Sequence, residues 1–260
     1  MPRLCANLSM LFTELDFLQR FEAAANAGFS GVEYLFPYDF KAEEIKLRLE
    51  DFGLTQALFN APPGDFSKGE RGIACHPDRV EEFYAGVDLA IAYAKVLGNT
   101  QVNCLAGIKP QGFDDALIEK TFVDNLKYAA DRLQAQGIDL VMEMINTLDI
   151  PGFYLNTTAQ ALAIREKVGS RNLSLQYDIY HMQIMEGDLA RTLEKNLPVI
   201  RHVQLADNPG RHEPGTGEIN YGFLFGHLDK LGYRGWVGCE YKPLTTTEAG
   251  LGWLKTHNLI

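Results

Sequence analysis

The chain has 260 residues, of which 46% are hydrophobic and 22% are charged, a composition typical of an ordinary globular protein. Its formal net charge of -10 disfavours sequence-independent binding to nucleic acid or to an acidic membrane surface, because both depend on Lys and Arg. We therefore expect small-molecule chemistry.

The N-terminal segment MPRLCANLSMLFTELD does not resemble a signal peptide, because polar and acidic residues interrupt its apolar stretch. No run approaches the roughly 18 apolar residues that suggest a membrane span. The four cysteines lie far apart and form no CxxC pair, which favours reduced thiols and predicts a cytoplasmic protein. They are Cys5, Cys75, Cys104 and Cys239.

Eight short runs rich in apolar or β-branched residues predict strands. In chain order they are LCANLSM from Leu4, GVEYLF from Gly31, LTQALFN from Leu54, TQVNCLAG from Thr100, DLVMEMI from Asp139, LSLQYDI from Leu173, IRHVQLAD from Ile200 and GWVGCEY from Gly235.

Helices are predicted between the strands, where apolar residues recur at spacings of three and four. Two examples are the segments 17–25 and 224–231. Thr13 and Asp16 are predicted to cap the first helix. Six glycines are predicted to end helices, namely Gly28, Gly53, Gly98, Gly137, Gly169 and Gly232.

This alternation predicts an α/β protein with a (β/α)₈ TIM barrel as a single domain over residues 1–260. A doubly wound open sheet is the second candidate fold. It usually carries a glycine-rich phosphate loop after its first strand, and the segment NLSMLFTE contains none.

Four consecutive predicted strands carry an oxygen donor at the carboxyl end, where TIM barrels build their active sites. The residues are Glu143, Asp178, Gln204 and Glu240, at intervals of 35, 26 and 36 residues. Each interval is one βα unit, so we expect the four side chains to lie next to one another along half the rim of the barrel.

Three carboxylates that converge there repel one another by ~4 kcal/mol per pair at about 4 Å and an effective dielectric constant near 20. Among the four strand ends, the only nearby basic residue is Lys242. We therefore expect a divalent metal, and an all-oxygen ligand set favours Mg²⁺ or Mn²⁺ over Zn²⁺. Alternatively, each polar residue is satisfied separately by a helix N-terminus or a buried Arg.

His202 and Gln176 are expected to point into the barrel beneath these ligands, as support for them or as core polar residues.

Several segments resemble the hydroxypyruvate isomerase family within the xylose-isomerase-like barrel superfamily. They are ANLSMLF, GVEYLFPYD, GERGIACHP, INTLDIPGF, QYDIYHMQIMEGDL, ADNPGRHEPGTGEINY and GWVGCEYKPLTTTEAGLGW. Gln204 also matches the hydroxypyruvate isomerase family. The related ketose 3-epimerases usually have His at the corresponding position. After strand five the chain reads EMINT, with Met144 and Thr147, where the family commonly has EPINH.

The resemblance implies interconversion of hydroxypyruvate and tartronate semialdehyde, with a metal bound by Glu143, Asp178, Gln204 and Glu240. It also implies that Glu143 and Glu240 are the catalytic pair that transfers protons through an enediolate. The metal would polarise the carbonyl group of the substrate.

A hydroxy-keto acid substrate carries a carboxylate, which needs positive charge nearby. Candidate substrate-binding residues are Arg71, His181, Arg211 and Lys242, since they lie on loops next to the predicted ligands. No nucleic acid and no membrane is expected as a partner. The sequence is compatible with a homo-oligomer but does not give the oligomeric state.

Three alternative functions remain open. The first is a related sugar or sugar-acid isomerase or epimerase, such as a 2-oxo-tetronate isomerase or a ketose 3-epimerase. The second is an endonuclease IV-like DNA repair enzyme, which would need several zinc ions, many histidines and a basic groove; the chain has six histidines. The third is a metal-binding barrel without catalytic activity.

Overall fold

Eight parallel strands close into a barrel in which each strand pairs with the next one in the chain and β8 pairs with β1. The computed structural model describes residues 2–257 and residue 259. Met1, Asn258 and Ile260 lie outside the described residues. The predicted domain, residues 1–260, therefore includes three positions that the structure does not describe. The strands are β1 (Arg3–Asn7), β2 (Gly31–Glu33), β3 (Thr55–Asn60), β4 (Gln101–Cys104), β5 (Asp139–Glu143), β6 (Leu173–Asp178), β7 (Ile200–Leu205) and β8 (Trp236–Cys239).

Helices connect the strands and cover the outside of the barrel. They are α1 (Arg20–Asn26), α2 (Ala42–Asp51), α3 (Val80–Leu97), α4 (Asp115–Gln134), α5 (Thr158–Val168), α6 (Ile179–Met185), α7 (Leu189–Asn196), α8 (Tyr221–Lys230), α9 (Thr247–Gly250) and α10 (Gly252–Thr256). Three 3₁₀ turns span Phe17–Gln19, Phe66–Lys68 and Leu197–Val199. In the part of the chain that the structure describes, no helix is both long enough and apolar enough to cross a bilayer.

The barrel and all eight predicted strands are confirmed, and the closed sheet excludes the doubly wound alternative. The six predicted helix-ending glycines all have positive φ, between 63° and 93°, a region that glycine enters without steric cost. The predicted cap of the first helix is wrong. Asp16 precedes a 3₁₀ turn and makes no capping hydrogen bond with its side chain, and α1 begins only at Arg20.

Strand register sets the height of the polar residues at the carboxyl end of the barrel. Asp178 pairs with Gln204 across β6 and β7, and Glu143 pairs with Gln176 across β5 and β6. Glu240 follows β8 by one residue, and its backbone N–H donates to the carbonyl of Leu205 at 3.1 Å. The four predicted ligands therefore stand at the same end of neighbouring strands.

Candidate active site

Three buried carboxylates gather at the carboxyl end of the barrel. Glu143, Asp178 and Glu240 are 5%, 0% and 5% exposed. Glu143 and Glu240 also line a cavity of about 540 Å³ between the loops that follow the strands. The spacing of the strand ends thus brings the predicted acidic residues together.

Asp178 has one oxygen satisfied and one free to bind a cation. Oδ1 accepts the backbone N–H of Tyr180 at 2.8 Å, which caps α6. Among the described residues, no group hydrogen-bonds Oδ2, although the atom is buried. Its nearest charged or ionisable neighbours are His181 Nε2 at 3.5 Å and Arg211 Nη2 at 3.7 Å.

The two glutamates are held from different sides. Glu143 Oε2 accepts from the side-chain amide of Asn103 at 3.2 Å, which leaves Oε1 on the side of His181, 3.8 Å from its Nε2. Glu240 Oε1 lies 3.3 Å from Nη2 of Arg211. Each carboxylate therefore has a fixed orientation with one oxygen toward the cluster.

Burial disfavours the charged forms of these groups. It raises the pKa of Glu240 to about 8 and that of Asp178 to about 6. Burial, followed by the negative charges of Glu240 and Asp178, also raises the pKa of Glu143. Burial and then the charge of Arg211 lower the pKa of His181. Without a bound cation, the cluster therefore retains protons near neutral pH.

Arg211 corrects the sequence argument that no basic group other than Lys242 is close to the carboxylates. It comes from the loop between β7 and α8, adopts a left-handed backbone φ of 56°, and contacts both Asp178 and Glu240. Its side chain is only 15% exposed. A non-glycine residue with positive φ is uncommon and usually needs support from its surroundings.

That support comes from Asp207, a buried residue that the sequence analysis did not identify. Its Oδ1 accepts the backbone N–H groups of Asn208 and Ile219, both at 3.0 Å. Its Oδ2 accepts those of Gly215 at 2.8 Å and Gly217 at 2.9 Å. One carboxylate thus fixes both ends of the loop that carries Arg211.

Gln204 lies opposite Asp178 in the sheet register, and its side chain belongs to a polar network inside the barrel rather than to the lining of the cavity. Its amide nitrogen donates to Glu33 Oε1 at 2.8 Å, and its oxygen accepts from Gln176 Nε2 at 2.5 Å. The predicted inward positions of Gln176 and His202 are confirmed, since both are buried in this network.

Glu33 is the centre of the network, and the sequence analysis did not identify it. It is 1% exposed, and four side chains donate to it: Cys5 Sγ at 3.3 Å, Asn7 Nδ2 at 3.0 Å, His202 Nε2 at 2.6 Å and Gln204 Nε2 at 2.8 Å. Burial acts to raise the pKa of Glu33, but His202, Gln204 and Asn7 outweigh it, so this pKa lies below its ordinary value.

The four predicted substrate-binding residues all line the cavity. His181 and Arg211 lie within the carboxylate cluster, as described above. The guanidinium of Arg71 stacks 4.0 Å from the centre of the Phe66 ring and donates to the carbonyl of Glu70 at 2.7 Å. Lys242 is exposed and lines the same cavity. Arg71 and Lys242 make no ion pair with the three carboxylates among the contacts between described residues.

The donor set fits a divalent cation. Ligand atoms of Glu143, Asp178 and His181 lie within 4.8 Å of one another, and Glu240 lines the same cavity as Glu143 and His181. Among the described residues, no group hydrogen-bonds Asp178 Oδ2. Unpaired buried carboxylate oxygens are costly unless a cation or proton compensates them.

Comparison with known proteins gives consistent matches over the whole chain. The family model described as xylose isomerase-like TIM barrel matches residues 21–257. A hydroxypyruvate isomerase from Escherichia coli is 56% identical over 254 residues, covering 98% of both chains. A 2-oxo-tetronate isomerase from Cupriavidus necator is 49% identical over 257 residues, covering 99% of both. A crystal structure from Brucella melitensis, described as an AP endonuclease of family 2, has a TM-score of 0.96 at 47% identity, covering 99% of both.

Proposed function

The chain belongs to the xylose isomerase-like TIM barrel family, and from this premise we propose that it is a hydroxypyruvate isomerase, which interconverts hydroxypyruvate and tartronate semialdehyde. The observation that carries the proposal is the pair Glu143 and Glu240, which are both buried and line the same cavity. The 56% identical relative named hydroxypyruvate isomerase supports this choice of substrate.

The reaction moves a carbonyl group between adjacent carbons, so one carbon loses a proton, its neighbour gains one, and the hydroxyl proton passes from one oxygen to the other. One glutamate, as carboxylate, removes the proton from carbon, and the resulting enediolate carries negative charge on its oxygens. The other glutamate, in its protonated form, delivers a proton on the opposite side. Both glutamates line the cavity that would hold the substrate, as a general acid and a general base must.

The metal site proposed for this chain consists of Glu143, Asp178, Gln204 and Glu240, with Mg²⁺ or Mn²⁺ as the expected ion. These are oxygen donors, which hard divalent cations prefer. A bound cation would supply positive charge that stabilises developing negative charge on the substrate oxygens.

Arg71 and Lys242 are proposed to bind the substrate carboxylate. Both line the cavity, and neither is engaged by the three buried carboxylates. Arg211 faces Asp178 and Glu240 at 3.7 and 3.3 Å, so we assign it to balancing their charge beside the substrate.

Turnover assays test the proposal. Purified protein stripped with a chelator should be inactive, and Mg²⁺ or Mn²⁺ should restore conversion of hydroxypyruvate. Glu143→Gln and Glu240→Gln should each lower kcat by about 10²–10⁴-fold, with an unchanged circular dichroism spectrum. A matched control is Glu166→Gln, since Glu166 is exposed on α5. Rapid turnover of a ketose with none of hydroxypyruvate would contradict the proposal.

A 2-oxo-tetronate isomerase is the second candidate, because the Cupriavidus necator relative of that name is 49% identical over almost the whole chain. Its four-carbon substrate is larger than hydroxypyruvate, and a cavity of about 540 Å³ has room for either. Comparing kcat/KM for the two acids under the same metal concentration decides between the candidates.

DNA cleavage is not proposed, despite the description of the Brucella melitensis structure. The net charge is -10, and His181 is the only described histidine that lines the cavity, whereas several zinc ions would need more nitrogen ligands. The proposed partner is thus a small hydroxy-keto acid. We propose the cytoplasm as the location, because all four cysteines are buried and free.

A further inference from the structure

Asn146 lies in the loop after β5, is fully buried, and has a side-chain amide whose orientation is fixed by its neighbours. Its Oδ1 accepts the backbone N–H groups of Leu148 at 3.0 Å and Asp149 at 2.8 Å. Backbone amides only donate, so this atom must be the oxygen. The NH₂ group therefore points the other way, toward Asp149 Oδ2 and the ring of His181.

Two donors converge on Nδ1 of His181. Asn146 Nδ2 lies 2.6 Å from it, and the backbone N–H of Asn146 approaches the same atom at 3.4 Å. Nδ1 must therefore be the acceptor, and the single proton of a neutral imidazole must be on Nε2. Arg211 Nη2 would favour the other tautomer by donating to Nε2, but it is 3.5 Å away, too long to outweigh a contact of 2.6 Å.

The Nε2 atom of His181 is directed toward acceptors. It lies 3.5 Å from Asp178 Oδ2 and 3.8 Å from Glu143 Oε1, and the ring lines the cavity. A ring nitrogen that carries a proton has no lone pair for a metal. His181 therefore cannot be a metal ligand in this tautomer, although its spacing from Glu143 and Asp178 is that of a metal site.

We propose that Asn146 is a positioning residue that holds His181 as the Nε2–H tautomer, which keeps the ring out of the metal's ligand set and presents an N–H donor to a substrate oxygen. The donor role toward substrate rests on the proposed isomerase function, but the tautomer does not.

Nuclear magnetic resonance on the unmodified protein tests the tautomer. In metal-free protein with ¹⁵N-labelled histidine, the ring nitrogen shifts and their long-range couplings to the ring protons separate the two tautomers, and His181→Gln identifies the signals. We expect His181 to carry its proton on Nε2. A proton on Nδ1 would overturn the proposal.

Asn146→Asp reverses the hydrogen bond, because a carboxylate accepts where the amide donated. His181 should then carry its proton on Nδ1, and its Nε2 lone pair becomes available to a metal. Because imidazole suits Zn²⁺, the ratio of Zn²⁺ to Mn²⁺ affinity, measured by calorimetry, should rise at least about tenfold. The matched control is Asn220→Asp, which adds the same charge at the exposed cap of α8, where Asn220 Oδ1 accepts from Phe223; it should leave the ratio unchanged.

Kinetics separate the donor role from the proposed function. Loss of one donor to a developing oxyanion lowers kcat by about 10²–10³-fold, so Asn146→Asp and His181→Gln should lower kcat to similar extents with a smaller change in KM. Full activity of Asn146→Asp with the Nδ1–H tautomer would overturn the donor role. Absence of hydroxypyruvate turnover in the unmodified protein, together with the Nε2–H tautomer, would instead reject the proposed function and leave the tautomer assignment intact.

Discussion

Replacing Glu33 by glutamine tests whether the polar network inside the barrel is held by a charged acceptor. The substitution keeps the shape of the side chain and changes one acceptor oxygen into an NH₂ donor. Glu33 Oε1 accepts from Asn7 and Gln204, and Oε2 accepts from Cys5 and His202. Whichever oxygen is replaced, two donors lose their acceptor and face another donor.

The cost follows from that count. A buried donor left without a partner costs about 1–3 kcal/mol, so two of them predict a loss of about 2–6 kcal/mol in the free energy of unfolding. His202 cannot relieve the conflict by moving its proton, because its Nδ1 accepts from Gln101 Nε2 at 3.1 Å. The amide of Gln101 is itself oriented, since the same nitrogen donates to the carbonyl of Ala57 at 2.9 Å.

Urea unfolding of the metal-free proteins, followed by circular dichroism, measures this loss. Glu166→Gln is the control, since it makes the same chemical change on the exposed surface of α5, and it should stay within about 0.5 kcal/mol of the unmodified protein. A loss below about 1 kcal/mol in Glu33→Gln would refute the reasoning. Calorimetry should also show about 10–100-fold weaker metal binding, because Glu33 orients the amide of Gln204.

Three further predictions concern packing, pH and the loop of Arg211. Gly238→Ala places a methyl group against both carboxylate oxygens of Glu33, so it should lower the melting temperature. Gly226→Ala is the control, because a Cβ there meets no described atom within 4 Å, and it should not lower the melting temperature. In metal-free protein, the free energy of unfolding should fall as the pH rises from about 4.5 to about 8. Burial raises the pKa of Glu240 to about 8, so over this range the folded state holds a proton that the unfolded chain releases. Saturating Mn²⁺ should abolish this pH dependence. Asp207→Asn replaces one acceptor oxygen by an NH₂ group and leaves two of the four backbone N–H groups without an acceptor. Arg211 should therefore lose its fixed position, and KM for hydroxypyruvate should rise about tenfold or more.

Three results would contradict these expectations. The first is an unchanged melting temperature for the alanine variant at position 238. The second is metal-free stability that rises between pH 4.5 and pH 8, which would mean that the folded pKa of the buried carboxylates is lowered. The third is an unchanged KM in Asp207→Asn. The matched control for that variant is Asp131→Asn, which makes the same chemical change on the exposed face of α4.

The barrel and the row of acidic strand ends could be predicted because both depend on local patterns. Apolar runs that alternate with amphipathic segments give eight βα units, and parallel strands bring residues one unit apart to the same rim. The same rule could have found Glu33, which ends β2. It was missed because the run GVEYLF predicts a strand to Phe36, whereas β2 ends three residues earlier.

Contacts between distant segments could not be predicted in this way. Glu33 and His202 are 169 residues apart in the chain, and neither residue shows in sequence that it binds the other. Arg211 was predicted to contact substrate from its place in a loop, but its ion pairs with Asp178 and Glu240 depend on the turn that Asp207 organises. Loop geometry of this kind depends on tertiary hydrogen bonds rather than on residue spacing.

The position of Arg211 changes the charge balance on which the metal was first inferred. Three carboxylates alone carry three negative charges, and a divalent cation would leave one of them uncompensated. With the guanidinium of Arg211 at 3.3 Å from Glu240, the same cation leaves the cluster close to neutral. Without the cation, protons on Glu143 and Glu240 neutralise the charge that Arg211 does not balance, but among the described residues no group hydrogen-bonds Asp178 Oδ2. A neutral cluster also removes the repulsion that a substrate carboxylate would meet, so Arg71 and Lys242, which line the same cavity, can hold that group.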